Sequence, residues 1–252
     1  MIDNSVWHDR LLSIPVVAKA GLLGWQALQP GSNQNFKIET TQGHWVVRFN
    51  QSIPGVDRLV EQQLLQQLQH LAWLPTMIDC DPGAGYLITE FIEQSVWQKS
   101  DFSNPQRITQ LADQLRLIHL QPCDQAPTRL DRRIQYYLSQ TQVAADLQRR
   151  LTQGIDTLEQ LQFWTACRWL CHHDLNPGNL LGHKPVYLID WEFAGQGHAI
   201  LDWLIMEQES GADLSSWYPE DTRPDWIIPL KTLISDLMKL WNSLTTARIQ
   251  NC

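Results

Sequence analysis

Ten residues, HHDLNPGNLL at 172–181, restrict this chain more than any other stretch. Two histidines, an aspartate, two asparagines, a proline and a glycine stand together, and the sequence then turns apolar and runs into VYLIDWEF at 186–193. Proline and glycine set turns, and Asn and Asp side chains compete with regular backbone pairing. A loop of this kind does not build a core. It fixes polar groups at set intervals: Asp174, then Asn179 five residues on, then Asp190 after an apolar strand, a turn at GHKP and a second strand. The fold must hold one polar loop beside one small hairpin, so that Asp190 returns next to the loop.

Phosphoryl transfer from ATP calls for such groups. An acceptor hydroxyl must be held and relieved of its proton, Mg²⁺ must find oxygen ligands, and the nucleotide must be clamped. In kinase-type enzymes one loop carries an aspartate and, five residues later, an asparagine, with a second aspartate beyond a β-hairpin. Asp174, Asn179 and Asp190 have that order, and His172 stands two before the first aspartate as the signature has it. Pro177 and Gly178 break the segment between Asp174 and Asn179, which lets both side chains reach one phosphate region from opposite ends of the loop. A lone loop Asp or Asn ordinarily caps a turn. Four matches in order, with the apolar strand between them, point to chemistry instead.

Charge narrows the partners. The chain has 252 residues, a formal net charge of −8 and 43% hydrophobic residues. An acidic balance argues against nucleic acid and against an anionic membrane surface, because both require a basic face. It suits a cationic small substrate and equally an ordinary solvated surface. No apolar run approaches the roughly 20 residues of a bilayer span, and MIDNSVWHDRLL shows no basic segment leading into an apolar one. Five cysteines, an odd number without framework spacing, fit a reducing cytoplasm, the expected location. Cys167 and Cys171 lie in WTACRWLC, which reads as apolar helix. With His172 and His173 they lack the spacing of a zinc site, so structural thiols are expected.

Along the chain, residues 5–19 read as a short amphipathic helix. GLLGWQALQ, FKIETTQ and HWVVRFN follow, separated by the turn-like PGSNQN and QGH, and form a β-meander. A helix is expected over 56–71, with Leu59, Val60, Leu64, Leu65, Leu68 and Leu71 on one face. Two short strands, around 76–79 and 86–92, are split by DPGAG. Helices then dominate: one capped by Ser103 or Asn104 with Pro105 at its first position, others over 131–150 and 155–171, and more after the hairpin. The fold class is α+β, a mostly β first third with one helix followed by a mostly helical remainder.

With these residues in place, HHDLNPGNLL and VYLIDWEFAG resemble the loop and hairpin of the aminoglycoside phosphotransferase and choline kinase superfamily. The resemblance implies a bilobal, protein-kinase-like fold, with an N-terminal nucleotide-binding lobe at 1–92 and a catalytic, substrate-binding lobe at 93–252. It implies ATP as phosphoryl donor, Asp174 as catalytic base or hydroxyl-orienting residue, and Asn179 and Asp190 as Mg²⁺ ligands. PGSNQNF at 30–36 then falls where a phosphate-covering loop belongs, with Ser32 and Asn33 in place of a glycine-rich run and backbone N–H groups to cradle phosphate. Arg48 stands where protein kinases carry lysine, its forked donors suit phosphate, and Glu61 is its natural ion-pair partner. Backbone groups from Glu90 to Ile92, in the segment joining the lobes, are expected to hydrogen-bond adenine.

The acceptor is less sharply written. DWEFAGQG at 190–197 is similar to bacterial thiamine kinases and choline kinases, with the Gly-Gln-Gly step closer to the former, and Asp202 matches an acidic position that choline kinases use structurally. Both alcohols are small cations, for which aromatic faces and a carboxylate are the recognition groups. Trp191, Trp203, Trp217, Trp226 and Trp241 are available, at most one or two of them for a pocket; Trp191 with Glu192 or Glu207 are the substrate-binding candidates. An aminoglycoside or another small alcohol is the alternative acceptor. A nucleotide-binding pseudokinase is the alternative function, although decay usually removes one of the three key residues present here. A metal-dependent hydrolase would need further ligands, and the remaining histidines, at 8, 44, 70, 119, 183 and 198, are scattered.

Overall fold

A computed structural model describes residues 4–28, 31–121, 123 and 129–249. The chain divides into two compact units, Met1–Gln94 and Ser95–Cys252. The architecture is the α+β, protein-kinase-like one, an antiparallel sheet unit followed by a helical unit.

In the first unit, helices α1 (Asn4–Leu12) and α2 (Pro15–Ala20) precede strands β1 (Leu22–Ala27), β2 (Gln34–Thr40) and β3 (Gly43–Phe49). The helix expected over 5–19 is two helices, because Pro15 cannot donate to a continuous ladder and instead opens α2. Helix α3 (Arg58–Leu68), β4 (Met77–Asp81) and β5 (Tyr86–Glu90) complete the unit. The sheet order is β1-β2-β3-β5-β4, every neighbour antiparallel. Phe36 and Ile38 alternate inward from β2 and meet Trp45, Val47 and Phe49 of β3, over which Leu11, Ile14 and Val17 of α1 and its continuation are laid.

Asp57 caps α3, accepting from the Leu59 and Val60 N–H groups. The buried stripe of α3 is Glu61, Leu64, Leu65 and Leu68, the i, i+3, i+4, i+7 spacing of one helix face. Leu59, expected on that face, is 60% exposed. Five residues before Leu64, at about 100° per residue, it falls well off the stripe. A carboxylate occupies the stripe because a buried arginine waits opposite it.

In the second unit, α4 (Pro105–His119) starts from Asn104, whose side chain accepts from Gln106 and Arg107 N–H, with Pro105 first in the helix. Helices α5 (Leu130–Gln140), α6 (Ala145–Gln160) and the single turn α7 (Phe163–Ala166) follow. The helices expected over 131–150 and 155–171 are thus divided differently. The chain turns extended at Thr141, and Gln162 adopts a left-handed backbone with φ 57° after α6. Beyond α7 the chain becomes strand β6 (Trp169–Cys171), so Cys171 lies on a strand. β6 pairs with β9 (Gly195–Gly197), and β7 (Leu180–Leu181) pairs with β8 (Tyr187–Leu188). Helix α8 (Ile200–Ser210) is buried along most of its length, and α9 (Pro224–Ile249) packs against α5, α6 and α8. Cys80, Cys167 and Cys171 are free thiols. Burial raises Cys167 to about 12 and Cys171 well above its ordinary value, so both buried thiols stay protonated. No helix among the described residues is long and apolar enough to cross a membrane.

Candidate active site

The polar loop joins β6 to β7, and its geometry is held from below by one carboxylate. Asp202 of α8 is fully buried. It accepts from the His172 and His173 backbone N–H groups at 3.1 and 2.8 Å and from the His119 ring at 2.9 Å. Burial alone would raise its pKa; the hydrogen bond and charge of His119 outweigh this and hold it at about 2. Two consecutive N–H groups converge on one anion because His173 takes a left-handed backbone, φ 62°. Gathering His119, Cys171 and Asp202 within 4.8 Å resembles a metal cluster. The three donors already on Asp202 make it an anchor for the loop.

The loop is pinned to the hairpin at two points. The His172 ring, kept neutral by burial with a pKa of about 4, donates from Nε2 to the Ile189 carbonyl at 3.0 Å. The Ile189 N–H in turn donates to the Asn179 carbonyl at 3.1 Å. Register does the rest: Leu180 pairs with Leu188, so Asp190 emerges beside Asn179. Asp190 also has a left-handed backbone, φ 63°, uncommon for a non-glycine residue, and opens the short turn Trp191–Phe193.

Within the loop, Asn179 Nδ2 donates to Asp174 Oδ2 at 2.9 Å and to the Asp174 carbonyl at 2.8 Å, while Asn176 Nδ2 lies 3.3 Å from Oδ1. Asn176 Oδ1 accepts from Gly178 N–H and so caps the Pro177–Asn179 turn. Burial raises Asp174 to about 7; the two asparagine amides pull the other way, and the charges of Glu192 and Glu209 push up again. Its carboxylate stands in the wall of a cleft of about 310 Å³ that also takes in Arg133 and Tyr137 of α5, Phe193, Glu209 of α8 and Trp241 of α9. The Trp241 ring lies 5.7 Å from Tyr137 and 5.4 Å from Phe193.

The three substrate candidates are placed apart. Glu192 is buried and within electrostatic reach of Asp174. Trp191 is buried against His172 and donates to the Leu188 carbonyl, outside the cleft lining. Glu207 also lies outside that lining, where it accepts from Leu214 N–H and pairs with Lys231 at 2.7 Å. The cleft instead receives Glu209, two residues on and nearly opposite on α8, and Trp241. Arg133 and Tyr137 carry no spacing relation to the loop, so the sequence gives no signal for them.

In the first unit a second polar cluster forms. Arg48 Nη2 donates to Glu61 Oε2 at 2.6 Å, both side chains buried, and Arg58 Nη1 reaches the same oxygen at 2.9 Å. Burial works to raise the Glu61 pKa, but the two guanidinium groups prevail and hold it below the ordinary carboxylate value. Arg58 Nη2 and the Gln51 N–H both donate to Asn33 Oδ1, at 2.9 and 3.0 Å. Asn33 thus ties the turn between β1 and β2 to the Arg48–Glu61 pair; Ser32 beside it is exposed. Pro30, the first residue of that turn, lies outside the described residues. At the other end of the sheet the N–H groups of Glu90 and Phe91 donate to the Thr76 and His44 carbonyls, and the Gln94 N–H closes on the Ile92 carbonyl.

A family model described as the phosphotransferase enzyme family matches residues 26–230. No curated protein matches the chain in sequence. Among solved structures, the choline kinase LicA from Streptococcus pneumoniae superposes with a TM-score of 0.81 at 21% identity, covering 97% of this chain and 91% of that one. A choline/ethanolamine kinase family protein from Mesorhizobium loti gives a TM-score of 0.74 at 18% identity, covering 97% and 86%. An APH(2″) structure holding GDP and kanamycin gives 0.74 at 16% identity, covering 97% and 93%. At such identities the likeness is one of fold.

Proposed function

From the premise that this chain belongs to the phosphotransferase enzyme family and acts on an alcohol group, we propose that it transfers the γ-phosphoryl group of ATP to the hydroxyl of a small alcohol carrying positive charge. The observation that carries this reading is Asp174, fixed by Asn179 and standing in the wall of a small aromatic cleft. A hydroxyl entering the cleft meets the Asp174 carboxylate, which accepts its hydrogen bond, aligns the oxygen and takes the proton as the new bond forms. A pKa of about 7 suits a base that must hold and release a proton near neutrality. Tyr137 and Trp241 offer ring faces and Glu209 a carboxylate, the two groups that recognise a cation.

The donor set next to the loop fits Mg²⁺. Asp190 is a carboxylate, and Asn179 has its amide nitrogen committed to Asp174, so its oxygen is the atom to ligate; both are hard donors of the kind the ion prefers. Bound there, the cation would neutralise phosphate charge. In the first unit, Arg48, held by Glu61 and Asn50, is the cation for the nucleotide phosphates, with backbone N–H groups at Ser32 and Asn33. The committed N–H groups of Glu90 and Phe91 leave the Glu90 carbonyl and the Ile92 N–H for an adenine edge.

The test is a panel of alcohols with ATP and Mg²⁺, reading ADP release for each. Cationic alcohols, thiamine and choline among them, are expected to exceed uncharged alcohols of similar size, which forfeit the ring and carboxylate contacts together. Preference for neutral sugars or polyols would overturn the charge assignment and leave the transferase assignment standing. Aminoglycoside turnover at the expense of small cations would assign the cleft to the larger class.

A further inference from the structure

One group in the cleft does not suit a purely cationic acceptor. Arg133 is 6% exposed and lines the same cleft as Asp174. Its Nη2 donates to the Phe193 carbonyl at 2.5 Å and faces His173 Nδ1 at 3.3 Å, while its Nε is buried without a hydrogen-bond partner. Among the described residues it forms no ion pair. Its own guanidinium lies over the Phe193 ring, 5.3 Å from the centroid, so that ring already faces a cation. The contrast within the chain is Arg48, buried to a similar degree but set on Glu61 at 2.6 Å. A guanidinium withdrawn from water is costly unless an anion receives it. Burial lowers its pKa, and the charges of Tyr137 and Asp174 in the same cleft offset this only in part. The His173 ring does not supply charge, since burial and Arg133 itself keep it neutral.

We propose that Arg133 is an anion subsite that receives a carboxylate of the acceptor, so that the substrate class is a hydroxyl-bearing amino acid. Its ammonium lies toward Glu209 and Trp241, its carboxylate on Arg133 and its hydroxyl on Asp174. A carboxylate rather than a bulkier anion suits a cleft of about 310 Å³ and the planar fork of arginine. The inference rests on the phosphotransferase reading above and narrows its cationic alcohol to one with a compensating negative group.

Matched acceptors isolate the carboxylate. With the full chain, ATP and Mg²⁺, ethanolamine is compared with L-serine and 3-amino-1-propanol with L-homoserine, by ADP release. The amino acid of each pair is expected to show a kcat/KM higher by at least about tenfold, the least a hydrogen bond between charged groups supplies. Arg133→Met should bring that ratio close to one through KM for the acceptor, with KM for ATP unchanged, and Arg133→Lys should restore part of it. An Arg133→Met variant that lowers kcat equally for both members of a pair makes the residue a strut between Phe193 and His173, and the subsite is overturned. Should the variant not fold, the native protein still decides. 2-Aminobutyrate should inhibit at a concentration about tenfold below that of n-propylamine, and equal inhibition overturns the subsite. If plain cations such as choline are turned over and the amino acids are not, the subsite falls while the transferase reading stands. If no alcohol yields ADP, both fall.

Discussion

Asp174 answers to two opposed requirements. The role proposed for it asks for an ionised carboxylate facing the cleft; burial raises its pKa to about 7 and so favours the neutral acid. The sign of the stability effect follows. An unfolded aspartate ionises near 3.8, so below that pH both states are protonated and the folded group contributes its full share. That share is lost as pH rises through about 7 and the folded group must ionise. Asp174→Asn should therefore melt higher than the parent at pH 8 and differ little at pH 4, in thermal scans at the two pH values. The same variant should lose about 10² to 10⁴ in kcat, the range of a general base, while ATP still stabilises it. In the parent, kcat/KM should climb with pH through about 7 and then level. Near-parental turnover in Asp174→Asn, or a flat profile, would remove Asp174 from the role.

At the scale of elements, α8 is the part on which the loop depends. Asp202 sits in its first turn and holds three donors from α4 and from the start of the loop. Asp202→Ala would strand two peptide N–H groups and the His119 ring in a dry interior, a loss of about 3–5 kcal/mol by urea unfolding. Because His173 then has no reason to keep its left-handed backbone, kcat should fall with little change in KM for ATP. Asp202→Asn, which keeps an acceptor oxygen, should be milder on both counts; an Asp202→Ala variant with full kcat would show that the loop holds its shape unaided.

The same scale explains what could be read in advance. The relation of Asp174, Asn179 and Asp190 is local, fixed by a turn and a two-residue hairpin register, and local spacing survives in sequence. Asn104 before Pro105 is likewise a local signature. The cleft beside Asp174 is not local. Arg133, Glu209 and Trp241 arrive from three helices joined by long stretches of chain. Whether Glu207 or Glu209 faces the cleft depends on how a helix buried on nearly every side is rotated against α9, which hydrophobic periodicity does not encode. Trp191 was attractive as an aromatic next to Asp190, but the turn that follows Asp190 folds it back on His172. β6 leaves no mark in the sequence because three residues give no period, and WTACRWLC is apolar enough to read as helix.

At the scale of the whole molecule, the chain is two compact units, and the proposed function assigns the nucleotide phosphates to Arg48 of the first and Mg²⁺ to Asn179 and Asp190 of the second. A ligand that binds only the folded chain raises its stability by RT ln(1 + [L]/Kd), about 2.7 kcal/mol at a hundredfold excess over Kd. For a protein of this size that corresponds to a rise in Tm of about 5–10 °C. ATP with Mg²⁺ should produce such a rise and ATP with EDTA a smaller one, because the oxygen ligands then face phosphate without a cation between like charges. On the proposed function the increment due to Mg²⁺ belongs to Asn179 and Asp190, and Arg48 contributes to the remainder. Asp190→Ala should therefore abolish the increment while preserving the shift seen with ATP alone, and Arg48→Met should shrink both. The two variants separate by arithmetic that no general destabilisation reproduces, since each is compared with its own ligand-free melting point. An unchanged Mg²⁺ increment in Asp190→Ala would place the cation on other oxygens, and the loop and hairpin would then have to be explained without it.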